Sequence, residues 1–148
     1  MWHPHVTVAT VVEKQGRFLV VKEECLDETV YNQPAGHLDP NESLIDAAIR
    51  ETREETAWEV KINYLIGVQH YHSTANQITY IRFSFNASPL KFHSEQALDT
   101  GIICAEWKTL AELEALELQL RSPMVLGDIK QYLQGKRYPL ELLNTVDR

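Results

Sequence analysis

The segment "GHLDPNESLIDAAIRETREETAW", residues 36–58, decides how this chain is read, because it gathers Glu42, Glu51, Glu54 and Glu55 around Arg50 and Arg53. Helix-start signals open it. Asp39 suits an N-cap, Pro40 suits the first helical position, and Glu42 stands three residues after Asp39 as a capping box requires. Ala47, Ala48 and Ile49 then carry the predicted helix through about Thr56. On such a helix Glu54 and Glu55 fall three and four residues beyond Glu51 and share its face. Like charges in that arrangement repel, so the patch calls for compensating cations, from the protein or from metal. A solvated acidic face relieved by Arg50 and Arg53 is the plainer alternative. What favours metal is the Pro-Ala-Gly turn just upstream, where the carbonyl of Gly36 can approach a cation without hindrance from a side chain. Magnesium prefers hard oxygen ligands of this kind and keeps substrate phosphates in its shell.

Around this helix the chain reads as strands. "HVTVATVVE" and "RFLVVKE", separated by Lys14, Gln15 and Gly16, form a predicted hairpin, and "TVYNQPAG" is a short extended piece broken by Pro34 and Gly36. "WEVKINYLIGVQHYH" and "ITYIRFSFNA" predict two more strands joined by a polar turn at residues 73–77, with Pro89 closing that part of the sheet. "KFHSEQALDTG" reads as a loop, "IICAEWKTL" as a strand, "LAELEALEL" as a short helix, and "MVLGDIKQYLQG" as an amphipathic helix ending at Gly135, with "KRYPLELL" as a tail. The order β-β-β-α-β-β-β-α-α predicts one α/β domain over residues 1–148, a mixed sheet between helices.

Composition agrees with one folded core: 148 residues with 44% hydrophobic and 24% charged side chains sit at the globular average. A net charge of −7 argues against a nucleic-acid partner, since phosphate backbones demand clustered Lys and Arg. The same charge is compatible with a small phosphorylated ligand where a divalent cation reverses the sign locally. No basic leader opens the chain and no apolar run approaches the ~20 residues of a membrane helix. Cys25 and Cys104 lack any CxxC spacing. The expectation is a cytoplasmic protein with reduced thiols and no membrane partner.

At this point the residues carry a resemblance. Gly36, Glu42, Arg50, Glu51, Glu54 and Glu55 fit, without a gap, the Nudix box: glycine, five residues, glutamate, seven residues, then Arg-Glu-apolar-x-Glu-Glu-x-Gly-apolar. Thr52 and Trp58 replace aliphatic residues of that pattern, and Ala57 replaces its glycine. "HVTVA", "FLVV", "NQPAGHL", "LRSP" and "RYPLE" extend the resemblance over nearly the whole chain, toward the NudJ-type subgroup of bacterial phosphatases. The resemblance implies an α/β/α sandwich, dependence on Mg²⁺ with Mn²⁺ as an alternative, and a monomer. It implies hydrolysis of nucleoside tri- and diphosphates and of 4-amino-2-methyl-5-hydroxymethylpyrimidine pyrophosphate, a thiamine precursor. A hydrolase of oxidised or dinucleoside polyphosphate nucleotides and a non-hydrolytic nucleotide-binding module stay open beside it.

The expected metal ligands are Gly36 through its carbonyl, Glu51, Glu54 and Glu55, with Arg50 orienting a glutamate of the box as the resemblance implies. The expected general base is one of these glutamates or Glu106, whose place before Trp107 resembles that of an extra acidic ligand in MutT-type enzymes; an ordinary surface glutamate is its plainer reading. Arg17, Lys22, His37 and Arg82 are the candidates for gripping substrate phosphate. His70, His72, Tyr31, Tyr71 and Tyr80 are candidates for a ring pocket, against their ordinary use in packing.

Overall fold

The computed structural model describes residues 1–147. Seven strands and three helices follow one another among them: β1 (His5–Lys14), β2 (Arg17–Cys25), β3 (Glu28–Asn32), β4 (Ala35–His37), α1 (Leu44–Thr56), β5 (Trp58–Ser73), β6 (Ile78–Phe92), β7 (Ile102–Lys108), α2 (Leu110–Ala115) and α3 (Met124–Leu133). The predicted hairpin turns at Gln15 and Gly16, whose φ angles of 53° and 76° match the twist of its two strands. The strands soon part. β1 runs parallel to β6 and antiparallel to β4, whereas β2 takes β3 and β7 as antiparallel neighbours. β5 extends the sheet beyond β6, giving a mixed sheet ordered β3-β2-β1-β6-β5 with β4 and β7 attached off that path.

Alternation along the strands builds two cores, one on each face. Val8 and Val12 of β1, Leu19 of β2 and Phe85 of β6 pack with Ala47 and Ala48 of α1. Val11, Phe18 and Val20 point the other way, to Leu113 of α2 and to Val125 and Ile129 of α3. Helices therefore cover both faces, the expected α/β/α sandwich.

Three details differ from the sequence reading. The helix begins at Leu44, four residues after Pro40: Ser43 is the N-cap, its Oγ accepting from the Asp46 N–H at 3.0 Å. Glu42 does accept from the Asp39 N–H at 3.1 Å, but Asn41 at φ 61° keeps residues 39–42 in a loop. Pro89 does not end β6. Beyond Ala87 the strand has lost its β1 neighbour, so a residue without an N–H is tolerated at this free edge, opposite a bulge in β5. Finally, "PAG" contributes to β4, a strand in its own right.

Candidate active site

Helix α1 presents its carboxylates at the edge where β4 lies on β1. Thr52, on its buried face, fills an aliphatic position of the box with a satisfied hydroxyl that meets Thr10 Oγ1 at 2.8 Å and donates to the Ala48 carbonyl at 2.7 Å. Ala57 takes the left-handed conformation that glycine usually supplies, at φ 64°, and its N–H donates to the Arg53 carbonyl at 2.9 Å. Trp58 packs on Phe92 and Trp107, with ring centroids 5.2 and 5.8 Å apart. All three departures from the box are thus absorbed by packing or capping.

Arg50 organises the acidic face. Its Nε and Nη2 form a bidentate pair with Glu42 at 2.7 and 3.0 Å, Nη1 reaches Glu51 at 2.8 Å and Glu54 at 3.2 Å, and Nη2 also donates to the His37 carbonyl at 3.1 Å. The hydrogen bond from Arg50 holds the Glu42 carboxyl below its ordinary range. Burial acts in the opposite sense on Glu51, pushing its carboxyl up despite Arg50. Glu55 is more enclosed; burial lifts it to about 8, although the Ala35 N–H donates to Oε1 at 2.9 Å. A Cβ at Gly36 would overlap the Glu51 carboxylate where it stands and force that side chain to move.

The loop after β6 adds a residue that sequence reasoning missed. Asp99 donates its N–H to the Glu54 carbonyl at 3.0 Å, and Gln96 is tied to Arg53 through hydrogen bonds of 2.6 and 3.1 Å. Docked in this way, Asp99 offers a carboxylate oxygen that lies with those of Glu51 and Glu54 within a mutual 4.8 Å. Glu55 is not part of that trio. Three hard anionic oxygens so close fit a divalent cation, and the missing Cβ of Gly36 is what leaves Glu51 free to join them. The only sequence cue was an acidic residue two positions before a loop glycine, too common to single out.

A cavity of about 360 Å³ opens beside these carboxylates. Gly36, His37, Glu51 and Glu55 line one side, and Thr7, Tyr71, Tyr80, Arg82 and Arg121 contribute to the rest. Of the four residues considered from sequence for phosphate, His37 and Arg82 line this cavity. Burial keeps the His37 imidazole below its usual value, with His5 adding to the effect; His5 Nδ1 lies 3.0 Å from His37 Nε2. Arg82 is buried and pairs with Asp128 of α3. Arg121 forms a 2.6 Å pair with Glu23.

Other candidates lie elsewhere. Arg17 makes a surface pair with Glu112 at 3.2 Å, and Lys22, between Tyr31 and Cys104 in the ladder, does not line the cavity. Glu106 pairs with Lys108 at 3.0 Å and accepts from the Cys104 thiol at 3.3 Å. Because its neighbours Ala105 and Trp107 pack into the core under α1, strand alternation turns Glu106 away from the acidic face. Tyr31 stacks under the Lys108 ammonium, and His72 bonds to Thr79.

Known proteins agree with this picture. The Nudix domain model matches residues 1–126. Phosphatase NudJ of Escherichia coli K12 is 38% identical over 143 residues, covering 97% of this chain and 92% of that one. A Nudix hydrolase structure from Nitrosomonas europaea superposes with a TM-score of 0.95 at 40% identity, over 97% of this chain and 98% of that one. The Nudix domain of Shewanella oneidensis NrtR, solved with ADP-ribose, shares the fold at a TM-score of 0.71 and 17% identity, over 91% and 90% of the two chains. With a family match over most of its length, a NudJ-type relative and Gly36, Glu51 and Glu55 of the box lining one cavity, this chain belongs to the Nudix family, as a hydrolase acting on phosphoanhydride bonds.

Proposed function

We propose that the chain is a Mg²⁺-dependent phosphatase of NudJ type, hydrolysing nucleoside tri- and diphosphates and 4-amino-2-methyl-5-hydroxymethylpyrimidine pyrophosphate. The observation that carries this reading is the carboxylate trio of Glu51, Glu54 and Asp99 beside a cavity large enough for a small heterocycle and its phosphates. A divalent cation bound there supplies charge neutralisation for the diphosphate and acidifies water in its shell. We assign Glu51, Glu54 and Asp99 as its ligands, with the Gly36 carbonyl beside them. Arg50 fixes two of these carboxylates, so their convergence does not await the ligand.

Glu55 serves in this reading as the general base. One of its oxygens is occupied by the Ala35 N–H, leaving Oε2 for a proton from the attacking water, and a carboxyl tuned toward neutrality is suited to that exchange. Glu106, facing away, is set aside as base. His37 and Arg121, on the cavity wall, are assigned to the phosphates. We also carry forward a cytoplasmic location and a monomeric state, with Cys25 and Cys104 as free thiols; cell fractionation and sedimentation of the purified protein test them.

Release of orthophosphate and pyrophosphate, with Mg²⁺ and with EDTA, from nucleoside di- and triphosphates and the pyrimidine pyrophosphate tests the function. Metal-dependent orthophosphate release from several of them is expected. Turnover confined to an oxidised nucleotide or a dinucleoside polyphosphate would replace the NudJ-type range with the alternative considered from sequence.

A further inference from the structure

We propose that the cavity wall formed by β5 and β6 reads the planar organic group of the substrate, through a hydrogen bond from Arg82 that Asp128 holds in position. The proposal rests on the hydrolase reading for where the phosphates go, and adds which residues discriminate the group they are attached to.

Arg82 is 4% exposed and Asp128 fully buried, with Nε 3.1 Å from Oδ2. The same Oδ2 accepts from Ser84 Oγ at 2.7 Å and from Gln33 Nε2 at 3.0 Å. Asp128 is thereby pinned from β6 and from the segment after β3, while its own backbone belongs to α3. Its partner is left unsatisfied. The Arg82–Asp128 contact is an ion pair by distance but not aligned as a hydrogen bond, and both Nε and Nη2 of Arg82 are sealed without an acceptor. Nη1 is not among the sealed atoms, and Arg82 lines the cavity that Glu51 and Glu55 also line.

Stability does not account for such an arrangement. A buried ion pair is commonly no better than a well-packed apolar pair of the same volume, and a buried donor without an acceptor is a further cost. Nε and Nη2 stay sealed whatever enters the cavity, but Nη1 is free to meet an acceptor there, a use that a purely structural pair would not need. Asp128 already neutralises the guanidinium, so Arg82 is a better donor to a neutral ring nitrogen or carbonyl than a grip for a multiply charged phosphate. The surroundings match a flat ring. Thr7, directly paired with Arg82 across β1 and β6, has a buried hydroxyl without a partner. Tyr71 and Tyr80, paired across β5 and β6, present half-buried rings inclined by only 15° with centroids 6.5 Å apart. A planar heterocycle with an acceptor on its edge can lie along these rings and meet Arg82, a combination that discriminates by what the edge offers.

ATP, GTP, CTP and UTP carry the same phosphates on different rings, so they separate ring reading from phosphate gripping. Turnover and equilibrium affinity, the latter with Ca²⁺ replacing Mg²⁺, would be measured for wild type, for Asp128→Asn, and for the double variant Arg82→Leu/Asp128→Leu, which removes both charges together, with circular dichroism identifying which of the two is folded. In wild type kcat/KM should spread at least about tenfold across the four, the scale of one charged hydrogen bond. In the folded variants the spread should shrink to within about twofold, mainly through KM. A uniform loss for all four with the spread intact overturns the proposal in favour of a phosphate or purely structural role, as does a wild type that does not discriminate. If wild type turns over none of them, the affinities decide: a spread that collapses in the variants sinks the hydrolase range and keeps the ring reader, whereas flat affinities sink the ring reader.

Discussion

Glu51, Glu54 and Glu55 occupy one helical face, yet their surroundings divide their work. Glu51 and Glu54 stay near Arg50 and Asp99, whereas Glu55 sinks against the Ala35 N–H and its carboxyl rises to about 8 through burial. A carboxyl raised on folding holds its proton more tightly in the folded chain. It therefore opposes stability increasingly as pH climbs from the ordinary 4.5 through about 8. In metal-free protein the unfolding free energy of Glu55→Gln should gain on that of wild type by a margin that grows over this range, on the order of 1–3 kcal/mol at its upper end, as denaturant titrations at several pH values measure. A margin independent of pH would remove the perturbed carboxyl. The same variant, folded, should lose at least ~10²-fold in kcat with Mg²⁺ present, the scale of a lost acid–base or metal-supported step. Asp99→Asn should weaken Mg²⁺ activation while leaving the fold intact, which a metal titration of activity measures. Gly36→Ala, whose methyl would displace the Glu51 carboxylate, should lower kcat by a similar ~10²-fold without unfolding the chain.

At the scale of elements, α1 is held to the sheet by more than its alanines. Thr52 and Thr10 share a buried hydrogen bond of 2.8 Å between helix and β1. Thr52→Val alone strands the Thr10 hydroxyl and should cost about 1–3 kcal/mol, while Thr10→Val with Thr52→Val should recover most of that loss. Chemical denaturation of the two variants beside wild type measures the coupling; equal losses for the single and double changes would show that the hydroxyl pair does not join helix to strand. The helix itself was legible from its alanines and its acidic periodicity. Its first residue was not, because the Asp39–Glu42 contact exists in the loop and imitates a capping box, while Ser43 makes the cap.

Across the whole molecule, the segment after α3 completes the sandwich. Tyr138 exchanges backbone hydrogen bonds of 2.9 and 3.0 Å with Leu65 at the outer edge of β5, and Leu140 and Leu143 pack on the core beneath α1. Truncation after Gly135 should expose that edge, lower the melting temperature and promote association at high concentration. A truncated chain as stable and as monodisperse as the full one would show the segment to be dispensable.

Local rules alone settled a good deal here: the hairpin at Gln15–Gly16, the strand and helix order apart from the separate β4, and the box from Gly36 to Glu55 all rest on spacings within a few residues. Those spacings set side-chain direction along a helix or strand, and direction is enough to bring Glu51, Glu54 and Glu55 onto one face. Only the tertiary structure decided which residues from distant segments join them. Asp99 arrives because its loop docks on the end of α1, and Arg82 and Arg121 reach the cavity because β6 and the segment before α3 border it. Arg17, Lys22 and Glu106 carry equally suitable charges but emerge outside the cavity. A charge read from sequence states what a side chain can hold; the parity of its strand and the docking of its loop decide what it meets.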